Sequence, residues 1–365
     1  MNIVCTDCGT EYPADTHEWI CIRCGGLFEL ESAPRLDPAR IDPQTSGLWR
    51  YRDWLPLPAN AHPVTMGEGW TPLIPSELDG VEFLAKCDYL NPSGSFKDRG
   101  TTVIVSALKA FGVSRCLEDS SGNAAASLAA YCAYAGIQAE IFAPAYASPA
   151  KLAQIEIYGA RLRRIEGPRE NSARAVQDEA GKGEAYYASH YYNPYALAGM
   201  QTTAWEIWEQ LGRRAPAAVI APVGHGTNFI GLARGFRALL QAGFIERMPR
   251  LYAAQAANVA PLALAFARGD KEVPTVESKR TIAEGISIVH PVRGKEIMRE
   301  IRETNGKALA VGEDEIAQAR VNLARGGLFV EPTSATAVAA LKLVRESLDG
   351  PIVVTLTGSG LKSPL

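Results

Sequence analysis

The chain has 365 residues, 47% hydrophobic and 21% charged, with a formal net charge of -3 and a pI near 6.0. This composition excludes a disordered or fibrous protein. It also lacks the basic surplus that neutralises phosphate backbones, so we expect a small-molecule partner rather than nucleic acid.

The chain opens with two CxxC pairs separated by twelve residues, Cys5 with Cys8 and Cys21 with Cys24. Four thiolates at this spacing are typical of tetrahedral zinc and less consistent with a disulfide framework. A segment this short has almost no core, so a metal would have to stabilise its fold. We therefore predict a zinc-ribbon-like segment over residues 1–32, with zinc in a structural role.

The N-terminus "MNIVCTDCGT" has no charged region followed by an apolar one, as a signal peptide would. No apolar run reaches the roughly 18 residues that a membrane-spanning helix needs. We expect a cytoplasmic protein that does not associate with membranes.

Residues 31–80 are rich in Pro and Trp and lack a sustained period, which predicts an extended arm. Next, the helical patterns "TTVIVSALKAF", "NAAASLAAYCAYA" and "PAKLAQIEIYG" alternate with the strand patterns "RCLED", "IQAEIFAP" and "RLRRI". The alternation resumes with the strand "AAVIAPVG", a helix from Asn228, the strand "RLYAAQA", the helices "EDEIAQARVNLA" and "SATAVAALKLV", and the strand "PIVVTLTG". Such alternation predicts βαβ units and parallel sheets, and hence an α/β protein with two open α/β layers.

Polar residues cluster where predicted strands give way to helices, which is where open parallel sheets bind ligands. "SSGNAAAS" offers the hydroxyls of Ser120 and Ser121, the bare backbone of Gly122 and the amide of Asn123 at a helix start. Helix N-termini favour anions, so this junction suits a carboxylate.

A second junction, "PVGHGTNFIG", follows the strand pattern "AAVIA". Gly224 and Gly226 allow the backbone to close around an anion, and Thr227 and Asn228 add donors at the helix start. The third Gly of a GxGxxG dinucleotide motif would fall on Phe229, so we predict a phosphate site rather than a dinucleotide site.

The third junction is "TLTGSGLK", where Thr357 lies at the end of the last predicted strand. The stretch "NPSGSFKDRG" places Lys97 where a run of small residues gives way to the apolar stretch "TTVIVSAL". A lone amine together with a phosphate site and an anion loop suits pyridoxal phosphate, whose aldehyde forms a Schiff base with a Lys. On spacing alone, a solvated surface pair of Lys97 with Asp98 is equally compatible.

Five motifs occur in an order that resembles the fold type II (tryptophan synthase β-like) pyridoxal phosphate enzymes: "NPSGSFKDRG", "SSGNAAASLAAYCAYAG", "PVGHGTNFIGLARGF", "EPTSATAVAAL" and "TLTGSGLK". Within that family, "GEGWTPL", the TGSGLK ending and the Cys ribbon are most similar to threonine synthases and their paralogues. The resemblance implies a larger cofactor domain of residues 33–95 and 200–365, a smaller α/β domain of residues 96–199, and a homodimer.

The resemblance also implies roles for individual residues. Lys97 would form the Schiff base and then act as the base at the substrate Cα, while Asn123 would bond the phenolic oxygen of the cofactor. Thr357 would face the pyridine nitrogen, where a neutral hydroxyl favours elimination over transamination or racemisation. The remaining ligands would be Ser120, Ser121 and Gly122, with Asn123, for the substrate carboxylate, and Gly224, His225, Gly226, Thr227 and Asn228 for the cofactor phosphate.

The predicted substrate pocket departs from the threonine synthase pattern. Those enzymes commonly carry "NPYRLEGQKT", whose Arg binds the phosphate of O-phosphohomoserine, whereas this chain reads "NPYALAGMQT". Ala196 stands where the Arg would be, so Lys151, Arg169 or another basic residue would have to supply the charge. The upstream "SHYYNPY" either suits a less charged, bulkier substrate or is ordinary aromatic packing.

The resemblance implies conversion of O-phospho-L-homoserine and water to L-threonine and phosphate, with an amino acid as the small-molecule substrate. Two other enzyme activities stay open: β-replacement of the cysteine or cysteate synthase type, and deamination of Ser or Thr. A partner-binding or nucleic-acid-binding protein on an inactive scaffold is a third alternative. The acidic pI and the presence of Lys97, Asn123 and Thr357 argue against it.

Overall fold

The computed structural model of the chain describes residues 2–31, 35–147, 149–344 and 348–363. The outermost residues of the predicted ribbon segment, Met1 and Ser32, lie outside these ranges. The side chain of Lys151, which we considered as a compensating cation, also lies outside what the structure describes.

The chain divides into two compact units, each built from two stretches of sequence. The first unit comprises Met1–Glu68 and Lys97–Gly199, and the second comprises Gly69–Phe96 and Met200–Leu365. Residues 33–68, which we assigned to the larger domain, thus group with the first unit. The division into functional domains stays a prediction.

The strands, in chain order, are β1 (Asn2–Cys5), β2 (Glu11–Pro13), β3 (Phe28–Leu30), β4 (Leu73–Leu78), β5 (Val81–Lys86), β6 (Arg115–Glu118), β7 (Gln138–Pro144), β8 (Arg161–Ile165), β9 (Tyr186–Tyr187), β10 (Ala218–Pro222), β11 (Arg250–Ala256), β12 (Ala308–Val311) and β13 (Ile352–Thr355). The α-helices are α1 (Lys97–Ala110), α2 (Asn123–Ala135), α3 (Pro149–Ile157), α4 (Arg169–Ala180), α5 (Pro194–Gln210), α6 (Thr227–Gln241), α7 (Pro261–Arg268), α8 (Gly294–Glu303), α9 (Glu313–Arg325) and α10 (Pro332–Ala339).

The first unit begins with a small antiparallel sheet in the order β2-β1-β3. Its core consists of Ile3, Cys5, Cys21 and Phe28. So few apolar residues bury too little surface to stabilise a fold alone, which agrees with the expected need for a metal.

The same unit contains a parallel four-stranded sheet in the order β8-β7-β6-β9. Helices α2 and α4 both pack on β7, so this strand is almost entirely buried. Its single charged residue, Glu140, is paired with Arg115 and Arg163. Strand β6 ends at Glu118, and the loop to α2 therefore leaves the carboxyl edge of this sheet.

The second unit is built on a six-stranded sheet in the order β12-β11-β10-β13-β5-β4. Neighbouring strands are parallel except for β4, which pairs antiparallel with β5 at the sheet edge. An edge strand tolerates Pro75 because its N–H side needs no ladder partner. Strands β10 and β13 are parallel neighbours, with Ile220 opposite Val354, so the segments that follow them leave the same edge.

The structure confirms the predicted α/β class and most of the predicted elements, including β6, β7, β8, β11 and β13. The helix predicted from Asn228 begins one residue earlier, at Thr227. The prediction of an extended arm over residues 31–80 is wrong at its end, because Leu73–Leu78 forms β4 and hydrogen-bonds along β5. The sequence patterns also missed β5, β9, β12, α4, α5, α7 and α8. Within the described ranges, no helix has the length and apolar character required to cross a membrane.

Candidate active site

Lys97 is the first residue of α1 and is half-buried. The neighbouring Asp98 is fully buried, and its Oδ1 accepts a hydrogen bond from Ser127 Oγ at 2.6 Å. A carboxylate that faces another helix inside the protein does not fit the alternative of a solvated surface pair. Lys97 therefore begins a helix at the junction where the sequence predicted a reactive amine.

The predicted anion loop lies between β6 and α2 in the first unit. The N-cap of α2 is Gly122, which has no capping side chain, and the Gly122 N–H bonds the Ser120 hydroxyl at 3.1 Å. The first N–H groups of a helix have no intrahelical partner, so an uncapped start leaves donors for an anion. Ser120, Ser121 and Asn123 surround this helix start as predicted.

The glycine turn lies between β10 and α6 in the second unit. Gly226 has φ of +86°, and a Cβ there would meet the Cδ1 of Ile297 and lie 2.8 Å from its Cγ1. A Cβ on Gly224 would lie 3.0 Å from Ile288 Cγ1 and 3.1 Å from Ile286 Cα. Position 226 therefore requires glycine, and position 224 leaves little room for a side chain, so the two shape a close-packed turn of bare backbone.

The start of α6 has no side-chain cap, and Thr227 and Asn228 are buried in its first turn. Asn228 donates from Nδ2 to Thr355 Oγ1 at 3.3 Å, while its buried Oδ1 has no hydrogen-bond partner among the described residues. His225 lies between the two glycines and is half-buried. An uncapped helix start behind a glycine turn is a typical phosphate site, so these residues fit a phosphate group.

Thr357 follows β13 and is buried in the second unit. Its N–H donates to Ser334 Oγ at 2.9 Å, and its own hydroxyl lies 3.1 Å from the same oxygen. Ser334 also accepts from the Gly358 N–H at 2.9 Å. Ser334, quoted in the motif "EPTSATAVAAL" without a role, thus orients the Thr357 hydroxyl.

Two acidic residues at the end of β6 were not identified from the sequence. Glu118 and Asp119 are both buried. Burial raises the pKa of Glu118 to about 7, against the opposing charge of Lys97 and a hydrogen bond from the His190 N–H. A signal for them is present in the sequence, because two adjacent carboxylates directly precede "SSGN" at the end of the strand pattern "RCLED".

The aromatic segment "SHYYNPY" packs against these carboxylates. Asp119 accepts hydrogen bonds from Tyr187 at 2.8 Å and Tyr191 at 3.1 Å, and Arg169 lies 3.7 Å away. Burial raises the pKa of Tyr191, so this hydroxyl stays protonated and donates. At least Tyr191 is therefore part of a polar network and not only apolar packing.

Ala196 lies in the first turn of α5 and is fully buried. Position 196 therefore offers no charge for a phosphate. Of the two cations named as possible replacements for the missing Arg, the structure describes the side chain of Arg169. Arg169 begins α4 and lies beside the Asp119 carboxylate.

The sulfur atoms of Cys5, Cys8, Cys21 and Cys24 all lie within 4.8 Å of one another. Cys5 and Cys24 are 3.5 Å apart, and Cys8 and Cys21 are 3.6 Å apart. A tetrahedral zinc site with Zn–S bonds of about 2.3 Å would place its sulfurs about 3.8 Å apart. The four cysteines are thus positioned to hold a metal ion, as their spacing predicted.

Comparison with known proteins gives three consistent similarities. The family model described as "pyridoxal-phosphate dependent enzyme" matches residues 64–358. The threonine synthase of Methanocaldococcus jannaschii is 35% identical, over 99% of this chain and 92% of its own, and that of Methanosarcina acetivorans is 34% identical, over 100% and 92%. Among solved structures, the T.th. threonine deaminase is similar with a TM-score of 0.69 and 27% identity, over 79% of this chain and 92% of its own.

Proposed function

We propose, since the chain belongs to the family of pyridoxal-phosphate dependent enzymes, that it catalyses threonine synthase-like elimination chemistry on a small amino acid. The reaction would convert O-phospho-L-homoserine and water into L-threonine and phosphate. The observation that carries this proposal is the similarity to threonine synthases along nearly the whole chain.

We assign different parts of the cofactor to residues of the two units. In the second unit, the glycine turn and the uncapped start of α6 support the assignment of Gly224, His225, Gly226, Thr227 and Asn228 to the phosphate. In the first unit, Lys97 would hold the aldehyde and Asn123 the phenolic oxygen. Pyridoxal phosphate would supply an electrophilic carbon and a conjugated ring that stabilises negative charge at the substrate Cα.

The protein's own groups would then handle the substrate and its proton. The N–H groups at the start of α2, with Ser120, Ser121 and Gly122, would bind the substrate carboxylate. Once displaced by the substrate amine, Lys97 would accept the Cα proton at Nζ. Thr357, held by Ser334, would present a neutral hydroxyl to the ring nitrogen, which favours loss of a substituent over transamination.

Deamination of Ser or Thr is the second candidate function. It is favoured by Ala196, which is buried and offers no charge to a phosphorylated substrate. The 27% identity to a threonine deaminase agrees with this alternative.

A substrate panel separates the two candidates. Purified protein supplied with pyridoxal phosphate is incubated with O-phospho-L-homoserine, L-serine or L-threonine, and phosphate, ammonia and keto acid are measured. Phosphate and threonine from the first substrate support the synthase; ammonia and keto acid from the others support the deaminase. Lys97→Ala should abolish every product, whereas Lys109→Ala, an exposed lysine in the same helix, should retain them.

We also propose that the four-cysteine site holds structural zinc and that the enzyme is a cytoplasmic homodimer. The zinc proposal is supported by the sulfur separations. The homodimer is proposed from the family resemblance, and light scattering of the purified protein would test it. Fractionation of the source cells would test the location.

A further inference from the structure

The N-terminal segment, which carries the four cysteines, contacts strand β9 at two consecutive residues. The Trp19 ring, two positions before Cys21, meets the Tyr187 ring edge-on with centroids 5.8 Å apart. The His17 ring meets the Tyr186 ring in the same way at 5.7 Å. Trp19 also packs on the hydrophobic core of the four-stranded sheet. The loop between the two CxxC pairs therefore rests on the edge strand of this sheet.

The contact between the segment and the sheet is closely packed. Both sides line one cavity of about 10 Å³, with Trp19 and Phe28 on the side of the segment and Tyr187 and Tyr192 on the side of β9. A space of this size holds at most about one water molecule. A shift of the Trp19 ring would therefore move the Tyr187 ring, because there is little empty space to absorb it.

Tyr187 connects this contact to the loop that precedes α2. It lies opposite Leu117 in the parallel pairing of β9 with β6, and its side chain is buried. The Tyr187 hydroxyl donates to Asp119 Oδ1 at 2.8 Å, and the Tyr191 hydroxyl donates to Oδ2 at 3.1 Å. Burial raises the pKa of Tyr187 well above its usual value, so this hydroxyl stays protonated and donates. Both oxygens of the Asp119 carboxylate are thus held by tyrosine hydroxyls.

Asp119 directly precedes the residues proposed for the substrate carboxylate. The next residue, Ser120, accepts a hydrogen bond from the N–H of Gly122, the N-cap of α2. Gly122 has no side chain with which to cap the helix, so the position of the free N–H donors depends on what anchors the loop. The carboxylate of Asp119 is suited to that task, because it is buried, held by the two hydroxyls and 3.7 Å from the guanidinium of Arg169.

We infer that Tyr187 is a positioning residue for the substrate carboxylate, and that the N-terminal segment holds Tyr187 in place through Trp19. The metal-bound segment fixes the Trp19 ring, the ring fixes Tyr187, and the Tyr187 hydroxyl fixes Asp119 and the helix-start donors that follow it. This role rests on the proposed function, because it takes Ser120 and Gly122 as ligands of the substrate carboxylate. It gives the N-terminal segment a task in substrate binding.

Two amino-acid probes, with and without the carboxylate, test the role of Tyr187. L-Threonine is the product of the first candidate reaction and a substrate of the second, and L-threoninamide lacks its carboxylate. Each is titrated into the holoenzyme, and the initial change in the visible absorption of the cofactor gives a dissociation constant. Tyr187→Phe keeps the ring that contacts Trp19 and removes the hydroxyl. The constant for L-threonine should rise about fivefold, and that for L-threoninamide should stay unchanged.

The outcomes separate the role of Tyr187 from the proposed function. Equal changes for the two probes, or no change for either, overturn the inference alone. If neither probe changes the absorption of the wild-type protein, the proposed function is overturned and the inference with it.

The neighbouring tyrosine supplies the matched control. Tyr186 is buried in the same strand and contacts the same segment through His17, but its hydroxyl accepts a hydrogen bond from Asn193 Nδ2 at 3.0 Å. Tyr186→Phe should leave both dissociation constants at their wild-type values. A rise equal to that in Tyr187→Phe would show a general effect of removing a buried hydroxyl and would refute the inference.

Metal removal and variants of Trp19 test the role of the segment. Chelation of the metal and Trp19→Ala should each raise the constant for L-threonine about fivefold, whereas Trp19→Phe, which keeps a ring at the contact, should stay near wild type. In the Tyr187→Phe background both treatments should add little, because the connecting hydroxyl is already absent. Effects that multiply in the combined variants contradict the connection through Tyr187.

Hydrogen exchange measures the loop without any reaction. Exchange of the backbone N–H groups of residues 119–124, followed by mass spectrometry, should become about tenfold faster after chelation and in Tyr187→Phe, and should not change in Tyr186→Phe. Exchange in β7 should stay at the wild-type rate. Unchanged exchange in residues 119–124 after chelation, or an equal acceleration in β7, overturns the inference whichever amino acid the enzyme uses.

Discussion

The backbone N–H of Phe96 donates a hydrogen bond to the carbonyl oxygen of Thr357 at 2.9 Å. One residue on each side, Ser95 and Gly358 form an isolated antiparallel bridge. Within the second unit, the residues that immediately precede Lys97 are thus attached to the segment that carries the hydroxyl proposed for the ring nitrogen. Two motifs more than 250 residues apart in sequence, at 91–100 and 355–362, meet in this contact.

The glycine turn should not tolerate a side chain at position 226. Gly226→Ala introduces a Cβ against Ile297 in a backbone with φ of +86°. We expect a loss in the free energy of unfolding of about 2–4 kcal/mol, from the left-handed conformation and the clash together. Urea denaturation measures this loss, and weaker binding of pyridoxal phosphate should accompany it.

The matched control is Gly243→Ala, whose φ is +76° and whose Cβ would meet nothing within 4 Å. Gly243→Ala should lower the free energy of unfolding only by the cost of the left-handed conformation, about 1–2 kcal/mol, and should leave the affinity for the cofactor unchanged. Equal effects of the two substitutions would mean that the packing around the turn is unimportant.

A metal ion in the four-cysteine site should stabilise the packing of the N-terminal segment on the rest of the first unit. Trp19 contacts the Tyr187 ring edge-on, with centroids 5.8 Å apart, and packs on the core around Leu117 and Phe142. Cys8→Ser or Cys24→Ser should lower the zinc content from about one ion per chain to near zero. Mass spectrometric metal analysis measures this loss, and a red shift of tryptophan emission should accompany it.

Cys87→Ala is the control for metal content, since Cys87 is a buried cysteine of the second unit. Its zinc content should equal that of wild type. Retention of zinc by Cys8→Ser and Cys24→Ser together would contradict the proposed site.

The buried ion pair of the second unit should be sensitive to the loss of one partner. Lys86 Nζ lies 2.7 Å from Glu206 Oε2, with both side chains fully buried, and Glu206 Oε1 accepts from the Trp70 N–H at 2.7 Å. Lys86→Met leaves a buried carboxylate without its cation and should destabilise the protein by about 3–5 kcal/mol. Chemical denaturation at pH 7 measures the effect.

Adding Glu206→Gln to Lys86→Met should recover part of that stability, because glutamine carries no charge and still accepts from the Trp70 N–H. A double variant less stable than Lys86→Met would show that the unpaired charge is not the cause.

Ionisation of the buried Glu118 should lower the free energy of unfolding as the pH rises. Its pKa is about 7 in the folded protein, above the value of 4.5 expected when unfolded, so the folded state binds the extra proton between these values. Stability should therefore fall from about pH 4.5 to about pH 7, by about 3 kcal/mol, and then stay lower. Glu118→Gln should match wild type at pH 4 and exceed it at pH 8. Denaturation curves across this range measure the difference, and parallel curves would disprove the assigned burial effect.

The local chemistry of the site could be read from the sequence. The glycine turn, the uncapped start of α2 and the cysteine pairs each depend on residues within a few positions of one another, and backbone conformation at that range follows from residue type. The strand-to-helix alternation likewise placed these motifs at the edges of sheets, and the helix start at Thr227 differed by one residue from the prediction.

The sequence by itself thus determined the family, the cofactor type and the motifs that bear Lys97 and the phosphate turn. Only the tertiary structure revealed that Glu118 and Asp119 are buried against His190 and Tyr191, residues 72 positions away. The physical reason is that ionisation depends on which groups displace water from a carboxylate, and those groups come from distant segments whose approach no local pattern encodes.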